Sequence, residues 1–409
     1  MKKLKNYFLD EDPVITDIFW FCFMVGFNTS LFLVYLPLYL PYMGLNDLKS
    51  VGVYIATPAI VAVLSQNFWG WLCLRQDRFK LMMVLSIVPF LGMYGILAFF
   101  NDPNILFYFL FVHGWFASAF LPASQSLVTL LKPDCKGEVL GKLHSLESIG
   151  WSFGCLLVAS ILYFFDSSKD VYTSVFLIFI AIDIVYLIYF FLRFPAKIQG
   201  LNWDTIQSKS MGGYVRILKR KKLIFLFIFI LIISTASNFF FNYFGRYLKE
   251  VLQGPEMLVG ISMTLAAVLG AIFFPIVGRF VDKHGTKVAL ISSFFGYIAL
   301  FVSLAFIKDP YVFVIVYSAP LYPILAVSIN TYIAQVTAQK DRAIGFGLVD
   351  TIVYLAGVLA PLIGTQIFKY YGLGDLPMLA LGVVLPTVIL LPFLVFGKSF
   401  KQAPQESLT

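Results

Sequence analysis

Charged residues are scarce in this chain of 409 residues: they make up 13% of it, whereas hydrophobic residues make up 60%. A soluble domain carries about 25% charged residues, so this composition excludes an ordinary soluble protein and indicates a polytopic membrane protein. Cysteine is also rare. The four cysteines are scattered without paired or metal-ligand spacing, so neither a disulfide framework nor a zinc site is expected.

Histidine is equally rare, and the three residues His113, His144 and His284 form no cluster with acids at one membrane face. An integral-membrane enzyme would need such a cluster for metal or nucleophile chemistry, so we expect neither enzymatic activity nor a cofactor. The sequence also lacks a nucleotide-binding P-loop and a filter-like segment, which argues against ATP drive and against a channel.

Long apolar segments are the main feature that is present. The first, about 15–42, follows several acids and has no small-residue cleavage site after it, so we interpret it as a retained span rather than a signal peptide. Eleven further segments are long enough to cross a hydrocarbon core of about 30 Å. Spans 2 to 12 are predicted near 50–73, 81–100, 104–131, 141–165, 171–192, 223–247, 256–280, 287–307, 311–336, 343–368 and 376–397.

The sequence therefore predicts an all-α integral membrane protein with twelve transmembrane helices in two pseudo-symmetric six-helix bundles. The first bundle is 1–192, a basic cytoplasmic linker follows at 193–222, and the second bundle with a short tail is 223–409. An internal repeat supports this division. A shift of 208 residues places Gly70 on Gly278, and a shift of 203 residues places Glu147 on Asp350.

The basic residues predict the orientation. With both termini inside, the tails and the loops after the even-numbered spans hold 24 of the 30 Lys and Arg residues, which satisfies the positive-inside rule. The net charge of +8 arises from these short loop clusters, so it does not indicate a nucleic-acid partner. We expect a monomer in the cell (inner) membrane with both termini cytoplasmic.

The segment 278–287, GRFVDKHGTK, is dense in charge between two apolar spans. Its first glycine allows a close helix contact, and its second permits a tight turn. The spacing G-x-x-x-D-K-x-G-x-K resembles the cytoplasmic loop motif of the Major Facilitator Superfamily, the large family of twelve-helix secondary transporters. The motif residues are Gly278, Arg279, Asp282, Lys283, Gly285 and Lys287. The resemblance implies a substrate site between the halves at mid-membrane.

The first-half copy of the motif is degraded. Leu74 and Asp77 replace the Asp and Gly of the family, whereas Arg75 and Arg78 keep the loop basic. The drug-efflux members also carry an Arg four residues before a Gly in helix 4 and prolines in helix 5. Here Leu110 holds the position of that Arg, and span 5 has no proline. These departures favour uptake of a small solute over drug efflux.

Three acids lie inside predicted spans: Glu147, Asp183 and Asp350. Each costs roughly 2.5 to 3.5 kcal/mol at a helix centre, so each needs an explanation. Asp183 lies in span 6, which the resemblance places outside the cavity. We expect it to have a polar neighbour or local water, and His113 is a candidate partner or proton relay.

Glu147 and Asp350 lie about two turns inside the cytoplasmic ends of spans 5 and 11. By resemblance, the loop after span 2 meets span 11 and the loop after span 8 meets span 5, which predicts crossed ion pairs that lock the cytoplasmic side. The predicted partners are Arg75 or Arg78 for Asp350, and Arg279 or Lys283 for Glu147. Two alternatives stay open: either acid carries the proton of a coupled cycle, or it is held by a helix end and polar neighbours.

Amides and aromatic rings on spans 1 and 7 form the clearest candidate substrate site. They recur at steps of three and four residues and so share a helix face, and amides beside rings suit a hydroxylated or heterocyclic solute. The alternative is that the amides bridge helices. The candidates are Asn28, Phe32 and Tyr35 on span 1, Asn238, Asn242, Tyr243 and Arg246 on span 7, and Gln125 and Asn330 on spans 4 and 10.

We therefore expect a secondary transporter that works by alternating access. The leading hypothesis is symport of a sugar- or nucleoside-like solute. In this hypothesis uptake is coupled to an ion, and the proton is the first candidate. The alternative is proton-coupled efflux of drug-like lipophilic compounds. Under either hypothesis the expected partners of the protein are the small-molecule substrate, the lipid bilayer and protons.

Overall fold

The structure, a computed structural model, describes residues 10, 12–45, 48–72, 78–165, 168–195, 198, 221–254, 257–337, 341–368 and 370–390. Within these ranges the regular structure is helical, and no strand occurs. The helices, in chain order, are α1 (Pro13–Ser30), α2 (Leu48–Leu72), α3 (Phe79–Gly95), α4 (Pro103–Ala117 and Phe120–Leu131), α5 (Lys136–Phe165), α6 (Lys169–Arg193), α7 (Lys221–Arg246), α8 (Met257–His284), α9 (Thr286–Phe306), α10 (Pro310–Tyr317 and Leu321–Val336), α11 (Arg342–Ile367) and α12 (Leu376–Val384).

The prediction of an all-α membrane protein is confirmed. Among the described residues, nine helices are long and apolar enough to cross a membrane, and Ile344–Ala360 and Leu373–Ile389 are shorter apolar helices. The remaining predicted span coincides with α2. Arg75 and most of the predicted linker lie outside the described residues.

Three helices begin at an aspartate followed by a proline. The carboxylates of Asp12, Asp102 and Asp309 accept hydrogen bonds from backbone N–H groups two residues later, at 2.7 to 2.8 Å. An aspartate cap satisfies an N–H that has no partner inside the helix, and a proline in the first turn sacrifices no hydrogen bond. These caps set the starts of α1, α4 and α10.

Buried apolar side chains form two large clusters. One is built from α1 to α6 and includes Phe21 and Phe179, and the other is built from α7 to α12 and includes Phe240 and Phe313. Each half of the chain thus has its own apolar interior.

The most extensive contacts between the halves are those of α5 with α8 and of α2 with α11, and α4 and α5 also contact α11 and α10, respectively. A Cβ atom at Gly278 would overlap the carbonyl oxygen of Gly137, so only glycine permits this approach. The hydroxyl of Ser145 donates to the carbonyl of Ala271 further along the same pair. The Gly278 contact lies at the end of the molecule that contains 278–287, which we call the motif end. Gly285 has a φ of +89° there and makes the turn into α9.

Candidate functional site

A group of polar side chains lies where α5 faces α10 and α11, at the boundary between the halves. Nδ1 of His144 lies 3.0 Å from Oε2 of Glu147, and Nε2 of the same ring lies 3.2 Å from Nδ2 of Asn330 in the other half. Asp350 is close enough to Glu147 for their charges to interact. We call the group the central polar cluster, and its members are His144, Glu147, Tyr322, Asn330, Asp350 and Tyr354.

The tautomer of His144 that fits these hydrogen bonds depends on the orientation of the Asn330 amide. An amide nitrogen only donates, so Nδ2 of Asn330 requires an unprotonated Nε2, and the ring proton then sits on Nδ1 and is donated to Glu147. The amide oxygen of Asn330 has no hydrogen-bond partner among the described residues. If the amide turned over, that oxygen would accept from a protonated Nε2. The orientation of the Asn330 amide and the proton position on His144 are therefore linked.

Aromatic rings form one wall of the cluster. Phe274 stacks on the His144 ring at 5.3 Å between centroids and meets the Tyr322 ring edge-on at 5.9 Å. Tyr322 is 58% exposed and the Glu147 side chain 31% exposed, whereas Asp350 is buried. Because Tyr322 also interacts electrostatically with Glu147 and Asp350, its exposed surface borders the space between the halves. Carboxylates beside tyrosine rings are suited to binding a cation.

Helix α1 supports the backbone that carries Glu147. Gly26 and Gly150 allow α1 and α5 to approach closely. A Cβ atom at Gly26 would overlap the carbonyl oxygen of Glu147, and a Cβ atom at Gly150 would overlap that of Phe23. Gly150 and Gly154 thus serve helix packing. Any shift of α1 would be transmitted directly to the position of Glu147.

The predicted ion pair of Glu147 with Arg279 or Lys283 is wrong for this conformation. Glu147 contacts His144 instead, and Nε of Arg279 lies 3.8 Å from Oε1 of Glu138. The reason is helix register: α8 residue 278 lies opposite α5 residue 137, so Glu147 lies ten residues, or about 15 Å, further along α5. Of the predicted partners of Asp350, Arg78 is solvent-exposed and Arg75 lies outside the described residues.

Contacts to backbone groups hold the motif end together. The two carboxylate oxygens of Asp282 accept hydrogen bonds from the N–H groups of Gly137 and Glu138, at 3.0 and 2.9 Å. These N–H groups lie in the first turn of α5, where the helix dipole favours a negative charge. Arg342, buried at the start of α11, donates to the carbonyl of Thr129 near the end of α4 at 3.1 Å. Both contacts join one half to the other.

The predicted substrate residues of span 1 point into the first half. Asn28 is fully buried and donates to Oδ1 of Asp183 at 2.8 Å, so the polar neighbour of Asp183 is Asn28 rather than His113. Phe32 packs on His113, and the hydroxyl of Tyr35 donates to the carbonyl of Cys155 at 2.8 Å. Gln125 on α4 is buried as well.

On α7 the predicted residues divide. Nδ2 of Asn238 donates to the carbonyl of Ser234 within the same helix at 2.8 Å, whereas Asn242 is exposed. Tyr243 packs against Phe368 with 4.7 Å between ring centroids. The side chain of Arg246 lies outside what the structure describes. The motif residues Lys283 and Lys287 lie at the motif end, exposed and half-buried, respectively.

Three predicted residues therefore meet in the central polar cluster: Asn330, Glu147 and Asp350. Sequence reasoning missed His144, Tyr322 and Tyr354 as members. Two of these carry a weak signal, because His144 precedes Glu147 by three residues and Tyr354 follows Asp350 by four, spacings that share a helix face.

Comparison with known proteins agrees with this architecture. Residues 18–361 match the family model of the Major Facilitator Superfamily. A Lactococcus lactis protein described as a multi-drug resistance efflux pump PmrA homolog is 26% identical over 85% of this chain and 86% of its own length. The multidrug resistance protein MdtG of Escherichia coli is 24% identical over 89% of this chain and 90% of its own length.

Solved structures share the fold. The human organic anion transporter MFSD10 superposes with a TM-score of 0.71 and 14% identity, over 93% of this chain and all of that one. FucP in an outward conformation superposes with a TM-score of 0.69 and 15% identity, over 94% of this chain and 99% of that one. A family model that covers most of the chain, together with this fold, identifies a membrane transporter rather than an enzyme. The chain belongs to the Major Facilitator Superfamily.

Proposed function

We propose that this transporter exports lipophilic organic cations and binds them at the central polar cluster. The proposal rests on the electrostatic interaction between two carboxyl groups that belong to opposite halves, Glu147 and Asp350. Neither forms an ion pair with a Lys or Arg in the described part of the chain. A bound cation would interact favourably with both, and the rings of Tyr322 and Phe274 would cover its apolar groups.

Export is supported by the two relatives, one named as a multi-drug resistance efflux pump homolog and the other as a multidrug resistance protein. The likeness to FucP, a fucose:proton symporter, is at 14–15% identity and supports the fold alone. Three of the amides that favoured a sugar or nucleoside direct their nitrogen to a protein group: Asn28 to Asp183, Asn238 to its own helix, and Asn330 to His144. Asn242 is the exposed amide that keeps uptake of a hydroxylated solute as the second candidate.

Transport would follow alternating access of a monomer in the cell membrane. The contacts of Asp282 and Arg342 close the motif end in this conformation. If the motif end is cytoplasmic, as the positive-inside rule predicts, this conformation faces outward and is the one that releases an exported cation. Exchange for protons supplies the driving force in this proposal.

A binding experiment on the purified protein tests the substrate class. Tetraphenylphosphonium should raise the melting temperature of the parent. Glu147→Gln or Asp350→Asn should weaken its binding about 10- to 150-fold, the effect of losing about 1.5 to 3 kcal/mol of a charged contact. Asn242→Ala, an exposed amide outside the cluster, is the matched control and should bind normally.

The opposite pattern would refute the proposal. Unchanged tetraphenylphosphonium binding in both carboxyl variants would remove the cluster as the cation site. Stabilisation of the parent by uridine or L-fucose, lost in Asn242→Ala, would favour uptake of a polar solute instead.

A further inference from the structure

Asp183 is a buried acid that the cation site does not use. It lies in α6 with no exposed surface, and Nδ2 of Asn28 donates to its Oδ1 at 2.8 Å. Its second oxygen, Oδ2, has no hydrogen-bond partner among the residues the structure describes, and neither has the amide oxygen of Asn28. Two acceptor oxygens thus lie on adjoining side chains without a donor. A proton on the carboxyl group would supply the missing donor.

The surroundings would not stabilise an ionised carboxylate. Phe27 stacks on Phe179 at 4.3 Å between centroids, and Phe179 meets the ring of Tyr94 at 5.7 Å. Tyr94 donates its hydroxyl to the backbone carbonyl of Asn28 at 3.1 Å, so that proton is directed away from the carboxyl group. A buried carboxylate with one amide donor and apolar neighbours is costly unless it is neutralised.

The other titratable groups of the packed helices do not replace that proton. Cys155 on α5 lies beside Ser30 of α1. Tyr186 of α6 interacts with Cys22 and Asp17 of α1 toward the motif end, and Cys22 also interacts with Glu147. In the described part of the chain, neither Lys nor Arg forms an ion pair with Asp183, and His113 packs between Phe32 and Phe90.

We propose that Asp183 and Asn28, together with Tyr94, form a proton-binding site inside the first half, separate from the cation site. Asp183 holds a proton in the conformation described here, and it releases the proton when α1 moves and water reaches the carboxyl group. The proton leaves from Oδ2 to water, and Asn28 remains as a donor to the carboxylate that results. This deepens the proposed function by adding a proton site to it.

The geometry offers a route from this site to the cation site. Asn28 lies two residues from Gly26, where α1 rests directly on the backbone of Glu147. Just beyond Asn28 the helix turns π-helical over Leu31–Tyr35, and α3 does the same over Ile96–Phe100 just beyond Tyr94. Such π-helical turns are places where a helix can change register locally. A change in the charge of Asp183 would therefore shift α1 and, through Gly26, the position of Glu147.

Infrared difference spectroscopy of the purified parent tests proton binding without any substrate. The carbonyl band of a protonated carboxylic acid should be present near neutral pH, disappear in Asp183→Asn and persist in Asp170→Asn, the matched control at an exposed position of the same helix. Asn28→Leu should shift the band, because it removes the amide donor. This second variant keeps the test valid if Asp183→Asn folds poorly. An acid band that is the same in the parent, Asp183→Asn and Asn28→Leu would overturn the proposal.

Transport separates this proposal from the one on which it rests. In proteoliposomes of phosphatidylethanolamine and phosphatidylglycerol, Asp183→Asn should bind tetraphenylphosphonium within about twofold of the parent but lose at least tenfold of the transport driven by a pH gradient. Proton-driven transport at the parent rate in Asp183→Asn would refute the coupling role. If the parent binds no cation at all, the proposed substrate is wrong, while the infrared result still decides whether Asp183 binds a proton.

Discussion

Replacing Asp282 with asparagine should open the motif end. The carboxylate of Asp282 accepts two N–H groups in the first turn of α5, and it belongs to the other half of the molecule. Asparagine keeps one acceptor oxygen but places an NH₂ group opposite the second N–H and removes the charge. A charged hydrogen bond contributes about 1.5 to 3 kcal/mol and the helix dipole about 0.3 to 1 kcal/mol, but Asp282 is partly solvated, so we expect a net loss of about 1 to 2 kcal/mol.

A loss of that size shifts the equilibrium between closed and open motif ends by about 5- to 30-fold. Spin labels at Ile105→Cys and Val312→Cys lie near the starts of α4 and α10, the helix ends that are remote from the motif end. They should report a larger population of short distances as these two ends approach each other. Both positions are exposed, at 42% and 47%. Asp134→Asn, an exposed acid near the start of α5, is the control. Identical distance distributions for Asp282→Asn and this control would refute the reasoning.

Two further changes test other parts of the molecule. Tyr322→Ala should weaken tetraphenylphosphonium binding by about 2- to 30-fold, the range of a cation–π contact of about 0.5 to 2 kcal/mol. Tyr322→Phe keeps the ring and should bind like the parent in a titration of the purified protein. Equal affinities of the parent and Tyr322→Ala would exclude the ring as a ligand. Gly278→Leu should reduce transport at least tenfold without unfolding the protein, because the leucine side chain would overlap the backbone of α5. Gly95→Ala is the control and should transport normally, because the added Cβ has open space. Parent-like transport by Gly278→Leu would show that this contact is dispensable.

The fold was predictable because the bilayer fixes the length of an apolar span and excludes unpaired backbone groups from the membrane. The breaks inside α4 and α10 were not predicted, since both halves of each broken helix are apolar. The roles of the motif glycines were also predictable. Gly278 makes the predicted close contact, and Gly285 makes the predicted turn.

The direction in which a helix face points was not predictable from one sequence. Asn28, Phe32 and Tyr35 share a face, but the pattern does not say whether that face meets the cavity or the interior of the first half. The decisive fact is that Asp183 lies opposite Asn28, a contact between residues 155 positions apart. An amide that binds a buried acid and one that binds a solute look the same in sequence.

The partner of Glu147 was missed for a related reason. Knowing that α5 meets α8 does not fix their register, and a displacement of ten residues along a helix separates the acid from the base assigned to it. The contacts that close the motif end instead reach backbone N–H and C=O groups, in the cases of Asp282 and Arg342. Backbone acceptors and donors are identical at every residue, so a search for complementary side-chain charges does not find them.

The two sets of charges act in opposite directions on the same equilibrium. At the motif end, Asp282 and Arg342 attract groups of the opposite half, whereas Glu147 and Asp350 bring like charges from opposite halves together whenever both are ionised. A cation between these two carboxylates removes the repulsion and so favours the same closed motif end that Asp282 stabilises. By linkage, the opening caused by Asp282→Asn should be largest without tetraphenylphosphonium and smaller at saturation. A shift in the spin-label distances that is independent of the cation would mean that the cluster and the motif end are not coupled.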